Sequence, residues 1–152
     1  PRRFLTENEM AYCVLSDLQK LLSAAMLVNL SNDTSGATVV DQTNIDEAID
    51  QADREIDAYL SLAGYAVPQV TVAPLVTNLS SKMAIWNLHL RKYFDSTVWR
   101  ETYKDCQRIL ERIAEGKLTL GQEVVGVTQE AAGGHAIDTR VQKFTSTFME
   151  EF

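Results

Sequence analysis

The sequence is poor in the residues from which most catalytic and metal sites are built. It has two histidines, His89 and His135, and two cysteines, Cys13 and Cys106, among 152 residues. Two isolated histidines make neither a zinc site nor a catalytic pair, and neither cysteine has a histidine near it in the sequence. A glycine-rich phosphate loop is also missing. We therefore predict no catalytic residue, no metal site and no cofactor, and we interpret the protein as not being an enzyme.

The chain also lacks an excess of positive charge and a long apolar run. Its net charge of −7 disfavours a grip on nucleic acid, because phosphate contacts need clustered Lys and Arg. The longest nearly apolar run, Leu21–Leu30, is about half as long as a membrane span. No basic leader with an apolar stretch and a cleavage site is recognisable, so we expect neither secretion nor membrane binding. The two distant cysteines are expected to be reduced and packed, as in an intracellular protein.

What the sequence does contain is helical periodicity. A chain of 152 residues is expected to form one domain, and its apolar residues recur at helical spacing in four segments. The predicted helices begin at Ser16, which with Gln19 resembles a capping box, at Thr43 or Asn44, near Pro74 and after Thr97. Gly64 is predicted to end the second helix and Gly116 the fourth. We predict a mainly α fold, a small bundle of about four helices with an extended C-terminal arm. Short β segments are possible at 37–40 and 117–129.

The third predicted helix is apolar around most of its circumference, so we expect it to be the most buried one. Its apolar stripe extends to Leu90 and Tyr93, and the stripe of the fourth helix begins at Val98. His89, in the third helix, is interpreted as a hydrogen-bonded structural residue rather than a ligand.

The second predicted helix carries six carboxylates in sixteen residues. They are Asp46, Glu47, Asp50, Asp53, Glu55 and Asp57. Most of them lie off the apolar stripe of this helix, which favours a solvated face over a charged subunit interface, and either of these over a catalytic or metal-binding cluster. The fourth helix carries a basic residue every four positions. The residues predicted as interface candidates are Asp46, Asp50, Asp53 and Asp57 on the acidic helix and Arg100, Lys104, Arg108 and Arg112 on the basic one.

The C-terminal stretch is predicted to contain a flexible joint followed by large apolar residues. After Gly133 and Gly134 come four large apolar residues, Phe144, Phe148, Met149 and Phe152. These side chains either fold back on the core of their own chain or anchor an arm on a partner, for which aromatic residues and Met are suited. We favour the arm.

Four segments in a fixed order resemble a known family. They are "YCVLSDLQKL", "IDEAIDQADREIDAYL" with "GYAVP" after it, "APLVTNLSSKMAIWNLHL" and "YKDCQRILERIAEGKLTLG". Together they are similar to the Mu-like branch of head–tail connector, neck or adaptor proteins of tailed bacteriophages. The likeness covers residues 12–121 and divides the chain into an N-terminal arm (1–11), a helical connector domain (12–121) and an extended C-terminal arm (122–152). The family's third helix is usually richer in alanine, whereas this chain has Ser80, Ser81 and Lys82 there.

The resemblance implies a structural virion protein. Such proteins form a ring, commonly a dodecamer with twelve-fold symmetry, between the portal protein and the next neck or tail protein. DNA passes through the ring without sequence-specific binding, and no membrane is involved. The location would be the virion neck, assembled in the host bacterial cytoplasm. Two alternatives stay open: a small acidic regulator or inhibitor that binds a basic partner surface, and an enzyme with an unrecognised site near Asp57, Glu55 or His89.

Overall fold

The computed structural model describes residues 11–93 and 95–122. Five helices occupy these ranges: α1 (Leu15–Leu21), α2 (Ala24–Ser31), α3 (Gln42–Leu62), α4 (Pro74–Arg91) and α5 (Thr97–Ala114). The mainly helical bundle is thus confirmed, and no strand occurs within the described ranges, including 37–40 and 117–122. None of the five helices is both long and apolar enough to cross a membrane. Both predicted arms, apart from residues 11 and 122, lie outside the described residues.

The first predicted helix is two helices in the structure. Leu22 is extended, and the hydroxyl of Ser23 accepts a hydrogen bond from the Met26 amide at 3.3 Å, so a new helix begins there. Serine is a favoured residue at such a position because its side chain satisfies a free backbone donor. The predicted start at Ser16 with a capping box to Gln19 was also wrong. Helix α1 begins one residue earlier, and the Asp17 carboxylate accepts from the Val14 amide at 3.1 Å.

A side-chain cap marks the start of helix α3, and a glycine marks its end. Asp41 accepts hydrogen bonds from the amides of Thr43 (3.0 Å) and Asn44 (3.3 Å), so the helix begins before the predicted caps at those two residues. At the other end Gly64 has a φ of 83°, which only glycine adopts at no steric cost, and the Tyr65 amide closes back on the Leu60 carbonyl at 3.0 Å. The predicted end of this helix is confirmed.

Helix α4 is the centre of the bundle, as predicted. It contacts each of the other four helices, and Pro74 occupies its first turn, where a missing amide proton breaks no helical bond. His89 is buried, and its Nδ1 lies 2.8 Å from the Ile85 carbonyl, which confirms a structural histidine. The buried side chains of this helix include Val76, Leu79, Met83, Ile85 and Leu88.

Helix α4 packs antiparallel to both α3 and α5, which therefore run in the same direction. The Asn87 amide, late in α4, donates to the Ala48 carbonyl, early in α3, at 3.1 Å. The rings of His89 and Trp99 are 6.0 Å apart, which places the start of α5 beside the end of α4. The bundle therefore has two ends. We call the end with the start of α3, the end of α4 and the start of α5 the upper end, and the opposite one the lower end.

Three residues predicted to lie in the core face solvent at the upper end. Leu90 is 53% exposed, Tyr93 96% and Val98 71%. Tyr93 lies beyond the end of α4 at Arg91, and its φ of 55° turns the chain out of the helical path, so helical spacing no longer places its ring on the buried stripe. Leu90 and Val98 lie in the last turn of α4 and the first turn of α5, where they stay largely exposed.

Replacing Tyr93 with glycine is expected to stabilise the isolated chain. The left-handed backbone of Tyr93 costs about 1 kcal/mol for a residue with a Cβ, and the exposed ring contributes little packing within the chain. We expect a melting temperature about 2–5 °C higher. The matched control is Tyr93→Ala, which removes the ring but keeps the backbone strain. Equal melting temperatures of the two variants would contradict this explanation.

Candidate functional site

Only some of the carboxylates on the acidic face of α3 are exposed to solvent. Glu47 and Asp50 are exposed, and Asp50 forms an ion pair with Arg54 at 2.5 Å. Asp46 is half-buried and accepts a hydrogen bond from the Gln42 side chain at 2.6 Å. For these residues the interpretation as a solvated face is correct. For the residues farther along the helix this interpretation is wrong, because Asp53, Glu55 and Asp57 accept hydrogen bonds from tyrosines elsewhere in the chain.

Asp53 is a buried carboxylate with two hydrogen bonds. It is 9% exposed, and it accepts hydrogen bonds from the Tyr12 amide at 2.8 Å and from the Ser80 hydroxyl at 2.5 Å. It forms no ion pair with any of the described residues. Burial, with a smaller contribution from the charges of Asp57 and Asp50, raises the pKa of Asp53 to about 6, although both hydrogen bonds favour the charged form. The prediction that Asp53 belongs to a subunit interface is therefore wrong, because a side chain inside the fold does not contact a neighbouring subunit.

Tyr12 completes this buried cluster. Its hydroxyl donates to the Asp57 carboxylate and accepts from the Gln69 amide at 2.9 Å. Burial raises the pKa of both Tyr12 and Asp57 above their ordinary values. The cluster thus ties residue 12 to α3, and through Ser80 to α4. Of the four predicted interface acids, Asp46 and Asp50 remain towards solvent, whereas Asp57 is half-buried and bonded within the chain.

Glu55 connects α3 to α5 through neutral donors. The Tyr103 hydroxyl donates to its two carboxylate oxygens at 2.8 and 2.9 Å, and the Gln107 amide donates at 3.2 Å. The Tyr103 ring also stacks on Trp86, with centroids 5.9 Å apart. The contact between α3 and α5 within one chain therefore uses tyrosine and glutamine, not the basic residues of α5.

The basic residues of α5 are exposed but largely neutralised by acids on or next to their own helix. Arg100 pairs with Asp95 just before the helix, Lys104 with Glu101 at 2.9 Å and Arg108 with Asp105 at 2.5 Å. From Thr97 to Ala114 there are four basic and three acidic residues, a net charge of +1. Arg112 forms no ion pair with any described residue. The predicted basic stripe is therefore a mixed-charge surface, and each exposed pair contributes only ~0–1 kcal/mol.

The described residues offer little to catalysis. Cys13 and Cys106 are both buried and unpaired, and burial raises the pKa of these thiols to about 12 and about 11. A thiol held in its protonated form is a poor nucleophile. Within 11–93 and 95–122, no three His, Cys, Asp or Glu residues are grouped so that they could hold a metal ion. The Asp53 cluster is enclosed by the packing of α3 and α4, so we interpret it as structural.

Two surface depressions formed by described residues are candidate binding surfaces. The first, which we call the α3–α4 groove, lies at the upper end and has a volume of about 330 Å³. It is lined by Asn44, Glu47, Ala48, Gln51, Asn87, Leu90 and Arg91. The second, of about 460 Å³, lies at the lower end of α5 and is lined by Arg108, Glu111, Arg112, Glu115 and Lys117. Sequence reasoning missed the groove because its lining comes from two helices and belongs to no motif. Phe144, Phe148, Met149 and Phe152 lie outside the described residues.

Comparison with known proteins gives the chain a family. Residues 12–139 match the family model described as "Bacteriophage Mu, Gp36". The "Mu-like prophage FluMu protein gp36" of Haemophilus influenzae (strain ATCC 51907 / DSM 11121 / KW20 / Rd) is 28% identical over 103 residues, which cover 68% of this chain and 71% of that protein. The matched region starts at Tyr12, the residue that the buried cluster fixes, and includes all five helices. The chain belongs to the bacteriophage Mu Gp36 family.

Proposed function

We propose that the chain is a structural protein of the phage virion, a ring between the portal protein and the next neck or tail protein. The ring, with twelve-fold symmetry as the expected form, would complete the head and form part of the DNA channel. The observation that supports this most is the family match over residues 12–139, because the matched region contains the motifs that resemble Mu-like neck proteins. Its location would be the virion neck, after assembly in the host bacterial cytoplasm.

The surface of the bundle suits a ring. A closed ring is built from heterologous contacts, so each copy needs two unlike faces that fit each other. The exposed side of α3 carries Glu47 and Asp50 with one nearby cation, Arg54, and is acidic. The exposed side of α5 has mixed charge, with a net charge of +1 over Thr97–Ala114, and Arg112 on this side has no ion-pair partner among the described residues. A net charge of −7 suits a channel through which DNA passes without being held.

The proposal is tested by removing the gene from the phage or prophage that carries it. Without a connector, we expect heads filled with DNA but no tailed particles, and tails assembled separately. Supplying the gene in trans should restore tailed particles. Normal tailed particles in the deletion strain would refute the proposal and would bring forward the alternative, an acidic regulator that binds a basic partner surface.

Reversing the charge of Arg112 is expected to weaken contact between copies. Arg112→Glu removes an uncompensated positive charge from the α5 face and places a negative one opposite the acidic α3 face, so binding between copies should fall by about three- to tenfold at low salt. Sedimentation of the chain with its cognate portal measures this. The control is Lys20→Glu, which makes the same charge change on α1, where Lys20 pairs with Asp17. Equal effects of both variants would refute an α5 interface.

A further inference from the structure

The lower end of the bundle is uncharged and apolar. No Asp, Glu, Lys, Arg or His occurs in residues 58–81, which include the loop between α3 and α4, or in residues 118–122. Large aliphatic side chains are exposed at this end, Val70 almost completely (99%); they are Leu62, Val67, Val70 and Leu118. A group of exposed aliphatic side chains in uncharged surroundings marks a surface that another protein segment covers.

The loop at this end also has free backbone groups. Residues 66–72 form neither helix nor strand, and within the described part of the chain none of their backbone groups bonds to another backbone group. The described side chains bond two of these groups, the Gln69 amide to the Tyr12 hydroxyl and the Thr71 carbonyl to the Gln122 side chain. A segment that lies along this loop therefore gains backbone hydrogen bonds as well as apolar contacts.

The chain arrives at this surface after α5 ends. The Leu120 amide donates to the Tyr65 hydroxyl at 3.0 Å, and the Gln122 side chain donates to the Thr71 carbonyl at 2.6 Å. These two bonds hold residues 118–122 against the loop between α3 and α4. The residues that follow Gln122 therefore start beside the exposed valines of this loop.

We infer that residues 123–129 of the same chain cover the lower end. The segment reads "EVVGVTQ" and carries no charge after its first residue. Its valines and threonine favour an extended backbone, which can pair with free backbone groups. Two or three residues span at most about 7–11 Å, so Val124 and Val125 reach Val70 from the position of Gln122. The family match, which runs to residue 139, includes this segment.

The short connection favours the segment of the same chain over that of a neighbouring copy. Closing a loop of a few residues costs little conformational entropy, and a segment tethered this closely has a millimolar or higher effective concentration. The contact forms within one chain, so it does not depend on the proposed ring. Its consequence for the ring is that the arm begins near residue 130, not at 122, and leaves the bundle at the lower end.

A double-mutant cycle in the full chain tests the contact. Val70→Asn and Val125→Asn are made singly and together, and thermal unfolding measures each variant. We expect each single variant to lower the melting temperature by about 2–5 °C, because a polar amide replaces a valine in an apolar contact. The double variant should lose less than the sum of the two, because either substitution already breaks the contact.

Two matched controls make the same substitution elsewhere. Val39→Asn changes an exposed valine (70%) at the upper end, and Val141→Asn changes a valine farther along the C-terminal stretch. Both should alter the melting temperature by less than about 1 °C, as is usual for surface substitutions. A Val70→Asn variant as stable as Val39→Asn, or full additivity in the cycle, would overturn the inference. A loss that appears only at high protein concentration would indicate a neighbouring copy and would also overturn it.

Cross-linking within the full chain gives a second readout. We expect oxidation of a Val70→Cys, Val125→Cys double variant to form a disulfide within one chain, at a yield that is independent of protein concentration and at least about tenfold above that of Val39→Cys with Val125→Cys. The buried Cys13 and Cys106 are poor competitors because burial raises the pKa of their thiols. Equal yields would refute the contact and leave the proposed ring standing.

Discussion

Asp53→Asn is expected to make the chain more stable at pH 8 by up to about 3 kcal/mol. In the folded protein Asp53 is charged at this pH although burial raises its pKa from 3.8 to about 6, and about two pKa units correspond to ~3 kcal/mol. Asparagine is the same size, carries no charge, and still offers an oxygen to the Tyr12 amide and an N–H to the Ser80 hydroxyl. The variant therefore removes the cost of burying a charge but keeps the hydrogen bonds.

Because the pKa of Asp53 is raised in the folded state, the stability difference between the two chains depends on pH between about 4 and 6. Between about pH 4 and 6 the folded chain holds a proton on Asp53 that the unfolded chain releases, so protonation stabilises the folded state there. This contribution is fully present below pH 4 and is lost as the pH rises through 6. We expect the free energy of unfolding of the natural chain to fall across this window relative to that of Asp53→Asn, and the two to converge near pH 4.

Urea unfolding of both chains at several pH values measures this difference. Asp50→Asn is the control, because it removes one negative charge from the exposed side of the same helix and reports the effect of net charge alone. If Asp53→Asn proved less stable than the natural chain at pH 8, the charged carboxylate would be stabilised by its hydrogen bonds more than it is destabilised by burial, contrary to our account.

Tyr12→Ala is expected to destabilise the chain by about 3–5 kcal/mol, a large part of the 5–15 kcal/mol of a typical domain. The Tyr12 side chain is 3% exposed and packs in the core, so its removal leaves a cavity. It also leaves the buried Gln69 amide without its acceptor and Asp57 without a donor. Thermal and urea unfolding measure the loss.

Tyr12→Phe separates packing from hydrogen bonding at this position. The ring stays, and only the hydroxyl that joins Asp57 to the Gln69 amide is lost, for which we expect about 1–3 kcal/mol. A Tyr12→Phe variant as unstable as Tyr12→Ala would mean that the hydroxyl alone carries the stabilisation. A Tyr12→Ala variant as stable as the natural chain would refute the view that residue 12 is fixed to the bundle.

Helix positions could be predicted where the signals are local. Pro74 marks the start of α4, Gly64 the end of α3 and Gly116 the end of α5, and all three agree with the structure. Each of these signals acts within one turn of the residue itself. The signal for the break between α1 and α2 is also local, since Ser23 caps α2. It was missed because Ser23 lies inside a nearly apolar run whose helical spacing continues across it.

The inward carboxylates could not be predicted because their partners are distant in the sequence. Asp53 meets Tyr12 and Ser80, which are 41 and 27 positions away, and Glu55 meets Tyr103, 48 positions away. A pattern of charges on one helix shows which residues share a face, not what packs against it. Ser80 gave the one local indication, because a serine hydroxyl on the side of α4 that is predicted to be buried needs a hydrogen-bond partner.

The most direct test of the central claim is native mass spectrometry of the chain mixed with its cognate portal ring, with negative-stain images of the same sample. Our account predicts one complex in which a fixed number of copies forms a closed ring on the portal, and weaker binding after deletion of residues 141–152. Absence of any complex at every salt concentration tested would contradict the assignment of this chain as a connector.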